Sequence, residues 1–197
     1  MTTMQSSLVQ SEYLIRRKVF TIFGAKFHVY DANENLLLFT KQKAFKLKED
    51  IRIYSDETMS EEKLVIQARQ IIDFSAAYDV VDAEEGRKVG ALRRKGFKSM
   101  FRDSWELLGP NDEVLGKIQE DSMTKAMMRR FLSNLIPQRF HVTSSDGASV
   151  ATYRQYFNPF IYKLAVQLEV GGEDAIDSRL VLAGGILLAA VEGRQKG

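Results

Sequence analysis

The segment that most constrains the fold of this chain is an unbroken apolar run near its C-terminus. From Leu180 to Val191 the sequence contains no polar or charged side chain, and the surrounding stretch Asp177–Glu192 has the length of a helix. A helix that is apolar on every face must be buried on every face in a soluble protein. The run is too short to span a bilayer, which takes about 20 residues. We therefore expect the rest of the chain to enclose this helix, with Asp174 or Asp177 as its N-cap.

The residues that would enclose it follow a recurring hairpin pattern, with alternating apolar residues on both sides of a turn rich in Asp, Asn or Gly. The predicted turns are Asp31–Asn35, Asp82–Gly86, Gly109–Glu113 and Ser145–Gly147. Further strand-like runs are Lys18–Gly24, Ile51–Ser55, Lys63–Gln70 and Ile161–Val170. Roughly a dozen strands at a spacing of about 8–12 residues predict an all-β barrel or sandwich. The strand side chains of a barrel this wide cannot fill its interior, so we expect the C-terminal helix to occupy it.

Composition excludes several classes of protein. The chain has 197 residues, 45% of them hydrophobic, a formal net charge of +2 and no cysteine. The apolar fraction is too high for a disordered chain, and the lack of cysteine excludes disulfides, Cys-ligated zinc and thiol catalysis. No linker divides the sequence, so we predict one domain over residues 13–195 after a flexible segment 1–12. Because no signal peptide is evident, the expected location is the cytoplasm. The alternative is a cytoplasmic protein that is bound peripherally to a membrane.

A second helix is predicted over Ser122–Leu135. Met123, Met127, Phe131 and Leu135 form one stripe at helical spacing, which is typical of an amphipathic helix. Such a stripe commonly covers a core. As the alternative, the face around Met127 would contact a protein partner or a membrane.

Several stretches resemble one known family. The N-terminal LIRRKVF, the hairpin FHVYDANEN, the stretch Gln155–Phe160 and the closing LVLAGGILLAAVEGR are similar to those of LURP-one-related proteins, over about Tyr13 to Arg194. That family is grouped with the phospholipid scramblases and the tubby C-terminal domain. The resemblance implies a closed twelve-stranded barrel around a central hydrophobic C-terminal helix, and no catalytic activity. It also implies lipid-related roles, since tubby domains bind phosphoinositide headgroups through basic side chains. The proline-rich and cysteine-rich segments of scramblases have no counterpart here.

Clustered basic residues are the main candidate site. The candidate residues for binding anionic headgroups are Lys41, Lys43, Lys46, Lys48, Arg93, Arg94, Lys95 and Lys98, and Arg16, Arg17 and Lys18 form a third cluster. Such clusters attract anionic lipids, and nucleic-acid phosphates by the same chemistry. The small net charge disfavours nucleic acid as the partner. The alternative is that these residues are solvated strand ends, where Lys is common.

Metal and catalytic sites have little support. Glu173, Asp174 and Asp177 are weak calcium candidates, because they lack the spacing of a calcium loop and suit the start of a helix. His28 and His141 occupy equivalent outward positions in two FHV runs, without a second ligand nearby. No Gly-rich phosphate loop or nucleophile motif is present, so we predict no enzyme activity, metal or cofactor.

The sequence therefore predicts a non-catalytic protein that binds anionic lipid or phosphoinositide headgroups at a membrane surface. Two alternatives remain open at this stage. One is a protein-interaction or scaffold module without lipid binding, and the other is a carrier of a small apolar ligand held beside the central helix.

Overall fold

The fold is given by a computed structural model, which describes residues 11–18, 25–42, 50–69, 77–94, 104–121, 138–156, 158 and 160–192. These residues form twelve strands and two helices. The strands are β1 (Glu12–Lys18), β2 (Ala25–Tyr30), β3 (Leu36–Gln42), β4 (Ile51–Tyr54), β5 (Glu62–Ala68), β6 (Ala77–Asp82), β7 (Lys88–Arg94), β8 (Ser104–Leu108), β9 (Val114–Glu120), β10 (Arg139–Ser144), β11 (Ser149–Tyr156) and β12 (Ile161–Leu168). The helices are α1 (Gly172–Ala175) and α2 (Ser178–Glu192).

The twelve strands form one closed antiparallel barrel, as predicted. Each strand pairs with its neighbours in the sequence, and β1 closes the barrel against β12 from Glu12↔Gln167 to Lys18↔Ile161. Buried and more exposed residues alternate along the strands, so each strand has one face toward the barrel interior and one toward solvent. Tyr13 and Ile15, for example, point inward and are fully buried.

Helix α2 lies inside this barrel, which confirms the central helix. Every side chain described from Leu180 to Ala190 is buried. Strands lie on opposite sides of it: a Cβ added at Gly184 would lie 3.0 Å from Ile118 of β9, and one at Gly185 would lie 2.9 Å from Ile15 of β1. These glycines let the barrel side chains approach the helix axis. In the described part of the chain, no helix is both long enough and apolar enough to cross a membrane.

The start of α2 is fixed by charged groups. Asp177 Oδ1 accepts a hydrogen bond from the Arg179 backbone N–H at 2.9 Å. Asp177 is therefore the N-cap, and it is one of the two residues that the sequence predicts for this position. The Arg179 guanidinium donates to Asp177 and, at 2.6 Å, to Asp82 at the end of β6. This contact ties the first turn of the helix to the β6–β7 hairpin.

The antiparallel order gives the barrel two different ends. Odd-numbered strands all run in one direction, so the connections after the even-numbered strands lie together at one end, here called the turn end. They are residues 31–35, 55–61, 83–87, 109–113 and 145–148, with residues 169–177 leading into α2. Four of these match the predicted turns. The predicted helix Ser122–Leu135 and residues 19–24 of a predicted strand lie outside the described residues.

Candidate functional site

The turn end of the barrel is strongly acidic. Asp and Glu are frequent there because their side chains bond nearby backbone N–H groups, as Asp31 does with Asn33 and Asn35 at 2.8 Å. The carboxylates of these connections are Asp31, Glu34, Asp56, Glu57, Glu61, Glu84, Glu85, Asp112, Glu113, Asp146, Glu169, Glu173, Asp174 and Asp177. Arg87 is the one basic residue in the same connections.

The opposite end, here called the basic end, carries the described members of the three predicted clusters other than Arg16. β1, β3 and β7 run in the same direction, so their last residues come to one end of the barrel. The basic residues near strand ends there are Arg17, Lys18, Lys26, Lys41, Arg93, Arg94, Arg139, Arg154 and Lys163, against the acidic Asp50, Asp79, Glu106, Glu120 and Asp121. Arg16 of β1 and Arg69 after β5 instead bind carboxylates of the turn end, Glu34 and Asp112. Of the predicted candidates, Lys43, Lys46, Lys48, Lys95 and Lys98 lie outside the described residues.

The charge distribution follows the axis of the central helix. Helix α2 begins at the acidic turn end and runs toward the basic end. A helix carries partial positive charge at its N-terminus and partial negative charge at its C-terminus. The two ends of the barrel therefore present the charges that complement this dipole, and the small net charge of the chain is an average over two opposed surfaces.

Lys41 has a basic partner that the sequence analysis missed. Lys26 of β2 lies directly opposite Lys41 of β3, and both side chains are exposed. Neither forms an ion pair with any residue described by the structure. Like charges directly opposite on adjacent strands are destabilising, so an anion placed between these two side chains would relieve their repulsion. The turn at Asp31–Asn35, which fixes the register of the hairpin, was the signal that could have led to Lys26.

Arg93 and Arg94 are adjacent in sequence but point to opposite faces of β7. Arg93 faces outward and donates to Glu106 Oε2 from Nε at 2.8 Å and from Nη2 at 2.5 Å. Arg94 faces inward, with its guanidinium 6.0 Å from the centroid of the Trp105 ring. Arg93 is thus held by a carboxylate of its own barrel, which distinguishes it from Lys41.

The two histidines and Asp177 each have a local partner. His28 Nε2 lies 2.7 Å from Glu57 Oε1, and His141 Nε2 lies 3.7 Å from Asp121 Oδ2. Asp177 caps α2 and binds Arg179, whereas Glu173 and Asp174 are exposed in α1. Among the residues for which the structure gives positions, no three His, Asp or Glu side chains are grouped to hold a metal ion.

The interior beside the helix is filled by side chains. The buried Tyr153 hydroxyl donates to the Val181 carbonyl at 2.7 Å, and burial raises the pKa of this hydroxyl well above its usual range. A Cβ added at Gly184 would lie only 2.9 Å from the same hydroxyl. This contact leaves no space for a ligand between helix and strands at that level, so the carrier hypothesis gains no support here.

Comparison with known proteins gives one family. A family model described as LURP-one-related matches residues 36–189. The match begins at the first residue of β3 and ends within α2, so it includes β3 to β12 and most of the central helix. A search of curated proteins found no match.

Proposed function

The chain belongs to the LURP-one-related family, and from this premise we propose that it is a non-catalytic protein that binds anionic lipid headgroups, including phosphoinositides, at a membrane surface. One observation carries the proposal: the described members of the three basic clusters, other than Arg16, which pairs with Glu34 of a turn, lie at the end of the barrel opposite the acidic turns. A tubby-like barrel is consistent with a binding role.

The polarity of the barrel gives this proposal a physical basis. Each Lys or Arg near an anionic leaflet contributes about 1 kcal/mol of attraction. The acidic turn end is repelled by the same surface, so the barrel would approach with its basic end first. Lys26 and Lys41 are the strongest candidates for direct contact, because they are exposed and their repulsion is relieved by a bound phosphate.

Vesicle co-sedimentation tests the proposal. At low salt we expect binding to vesicles of phosphatidylcholine and phosphatidylserine, and none to phosphatidylcholine alone. A third vesicle, with a phosphoinositide at the same total charge, tests whether the headgroup is recognised beyond its charge. Equal binding to neutral and anionic vesicles, or none to either, would overturn the proposal and favour the protein-interaction module.

A matched pair of variants separates the basic end from net charge. Lys41→Glu and Arg87→Glu change the charge of the chain equally, but Lys41 lies at the basic end and Arg87 at the turn end. We expect Lys41→Glu, a change of two charge units, to weaken binding to anionic vesicles by about thirtyfold and Arg87→Glu to leave it almost unchanged. Equal effects of the two variants would show that the basic end is not the contact surface.

A further inference from the structure

One face of the basic end combines exposed aromatic rings with cations. We call it the β10–β12 patch, and it consists of Arg139, Arg154, Tyr156, Phe160 and Lys163. The Phe160 residue is 69% exposed and Tyr156 is 41% exposed. Large apolar side chains are seldom this exposed without a reason when they lie side by side.

Strand register brings the five residues together on the outer surface. Arg139 of β10 lies opposite Arg154 of β11, and Tyr156 of β11 lies opposite Lys163 of β12. Phe160 immediately precedes β12. Two rings and three cations therefore share the end of three adjacent strands.

The three cations are available to an external anion. Arg139, Arg154 and Lys163 form no ion pair with the residues that the structure describes. The Arg154 guanidinium lies 5.1 Å from the centroid of the Tyr156 ring, a contact that orients the cation without neutralising its charge.

The backbone at Phe160 is held by the side chain of Asn158. Asn158 Oδ1 accepts hydrogen bonds from the N–H groups of Phe160 and Ile161, both at 2.9 Å. This double contact fixes the turn that enters β12. A ring presented from a fixed turn loses little conformational freedom when it becomes buried.

We propose that the β10–β12 patch enters the interfacial layer of an anionic bilayer, with Phe160 and Tyr156 inserted among the headgroups and Arg139, Arg154 and Lys163 on lipid phosphates. This inference rests on the proposed function and assigns it a membrane anchor separate from Lys26 and Lys41. Aromatic rings favour the membrane–water interface, and stable attachment commonly needs an apolar anchor together with basic charge.

The same chemistry could serve single-stranded nucleic acid, which stacks its bases on aromatic rings along a basic groove. The outward positions of β11 and β12 beyond the patch, Thr152 and Gln167 among them, carry no further aromatic ring, so these strands offer no row of rings for successive bases. Phe160 instead lies at the end of the barrel, where a membrane would meet it first. We therefore assign the patch to a lipid surface.

Tryptophan fluorescence tests the insertion directly. Phe160→Trp places an indole in the patch, and Val170→Trp places one at a fully exposed position of the turn end. The native Trp105 is buried, so the unmodified chain supplies the background. With vesicles of phosphatidylcholine and phosphatidylserine, we expect a blue shift and protection from acrylamide for Phe160→Trp, and no change for Val170→Trp.

Affinity gives a second readout. We expect Phe160→Ser to weaken binding to these vesicles by about tenfold, with the dependence on salt unchanged. Arg154→Gln and Lys163→Gln should each weaken it by about fivefold and reduce the salt dependence. Circular dichroism on each variant confirms that the barrel is retained.

The outcomes separate this inference from the proposed function. Binding to anionic vesicles without any shift at Phe160→Trp would overturn the insertion and leave the proposed function standing. No vesicle binding at all would overturn both. Binding of a single-stranded RNA oligonucleotide that is lost in Phe160→Ser, with no vesicle binding, would reassign the patch to nucleic acid.

Discussion

The hydroxyl of Tyr153 donates a hydrogen bond to the carbonyl of Val181 across the barrel interior, at 2.7 Å. The donor comes from β11 and the acceptor from the first half of α2, and both residues are fully buried. Most contacts between the helix and the barrel are apolar and have no direction. This hydrogen bond and the Arg179–Asp82 contact are directional, so together they favour one depth and one rotation of the helix inside the barrel.

Tyr153→Phe removes this hydrogen bond while keeping the ring. We expect the free energy of unfolding to fall by about 1 kcal/mol, because the hydroxyl donor is removed and the Val181 carbonyl loses the hydrogen bond from it. Denaturant unfolding followed by circular dichroism measures the change, and Tyr156→Phe on the outer surface is the control. Equal stability of the two variants would show that the helix position does not depend on this bond.

Gly184→Ala tests the close approach of helix and strand. The added Cβ would lie 2.9 Å from Tyr153 Oη and 3.0 Å from Ile118 Cδ1. We expect a loss of about 1–3 kcal/mol from overpacking, reduced by the better helix propensity of Ala. Because Phe lacks the hydroxyl, Gly184→Ala should cost less in a Tyr153→Phe background. A double-mutant cycle measures this coupling, and strict additivity would contradict it.

Much of the barrel could be predicted because its determinants are local. Four turns were identified from Asp, Asn and Gly between alternating strands, and the buried helix from its unbroken apolar run. The cap at Asp177 likewise follows from residues next to it. Local patterns carry this information because turn geometry, capping and the period of side chains depend on near neighbours.

The arrangement of charge was predictable only in part. An antiparallel barrel of sequential strands places every second connection at the same end, so the acidic turns could have been grouped by counting connections. The Arg93–Glu106 pair could not be predicted, because a long connection between β7 and β8 sets no register. The β10–β12 patch, by contrast, is formed by strands that are joined by short connections, 145–148 and 157–160, so its register could have been predicted once the strand ends were assigned.

Acid should destabilise the barrel through Asp112. Arg69 Nη2 and Lys88 Nζ donate to Asp112 Oδ1 at 2.5 Å and 2.6 Å, and the bonds from Arg69 and then Lys88 lower the pKa of this carboxyl to about 2. The pKa of Asp79, which the same two cations contact, is also lowered, although its burial acts in the opposite direction.

The sign of the effect follows from linkage. A carboxyl whose pKa is lower in the folded state binds more protons when unfolded, so its stabilisation is present above a pH of about 4 and is lost as the pH falls toward about 2. We expect Asp112→Asn to flatten the loss of stability across that window, measured by thermal unfolding at a series of pH values. Asn suits the left-handed backbone of this position, where φ is 66°. An unchanged pH profile would contradict the assignment.

Substitutions of Arg93 and Lys41 should affect stability and vesicle binding differently, although the sequence analysis placed both residues in the same candidate site. Arg93→Gln removes the positive charge that pairs with the buried Glu106, so we expect the free energy of unfolding to fall by about 1–3 kcal/mol. Lys41→Gln relieves the repulsion with Lys26 and should leave stability equal or slightly higher. Vesicle binding should respond in the reverse order, because the Arg93 charge is paired with Glu106, whereas Lys41 has no ion pair among the residues that the structure describes. If Arg93→Gln weakened binding more than Lys41→Gln while the barrel stayed folded, the ion pair with Glu106 would have to open at the membrane.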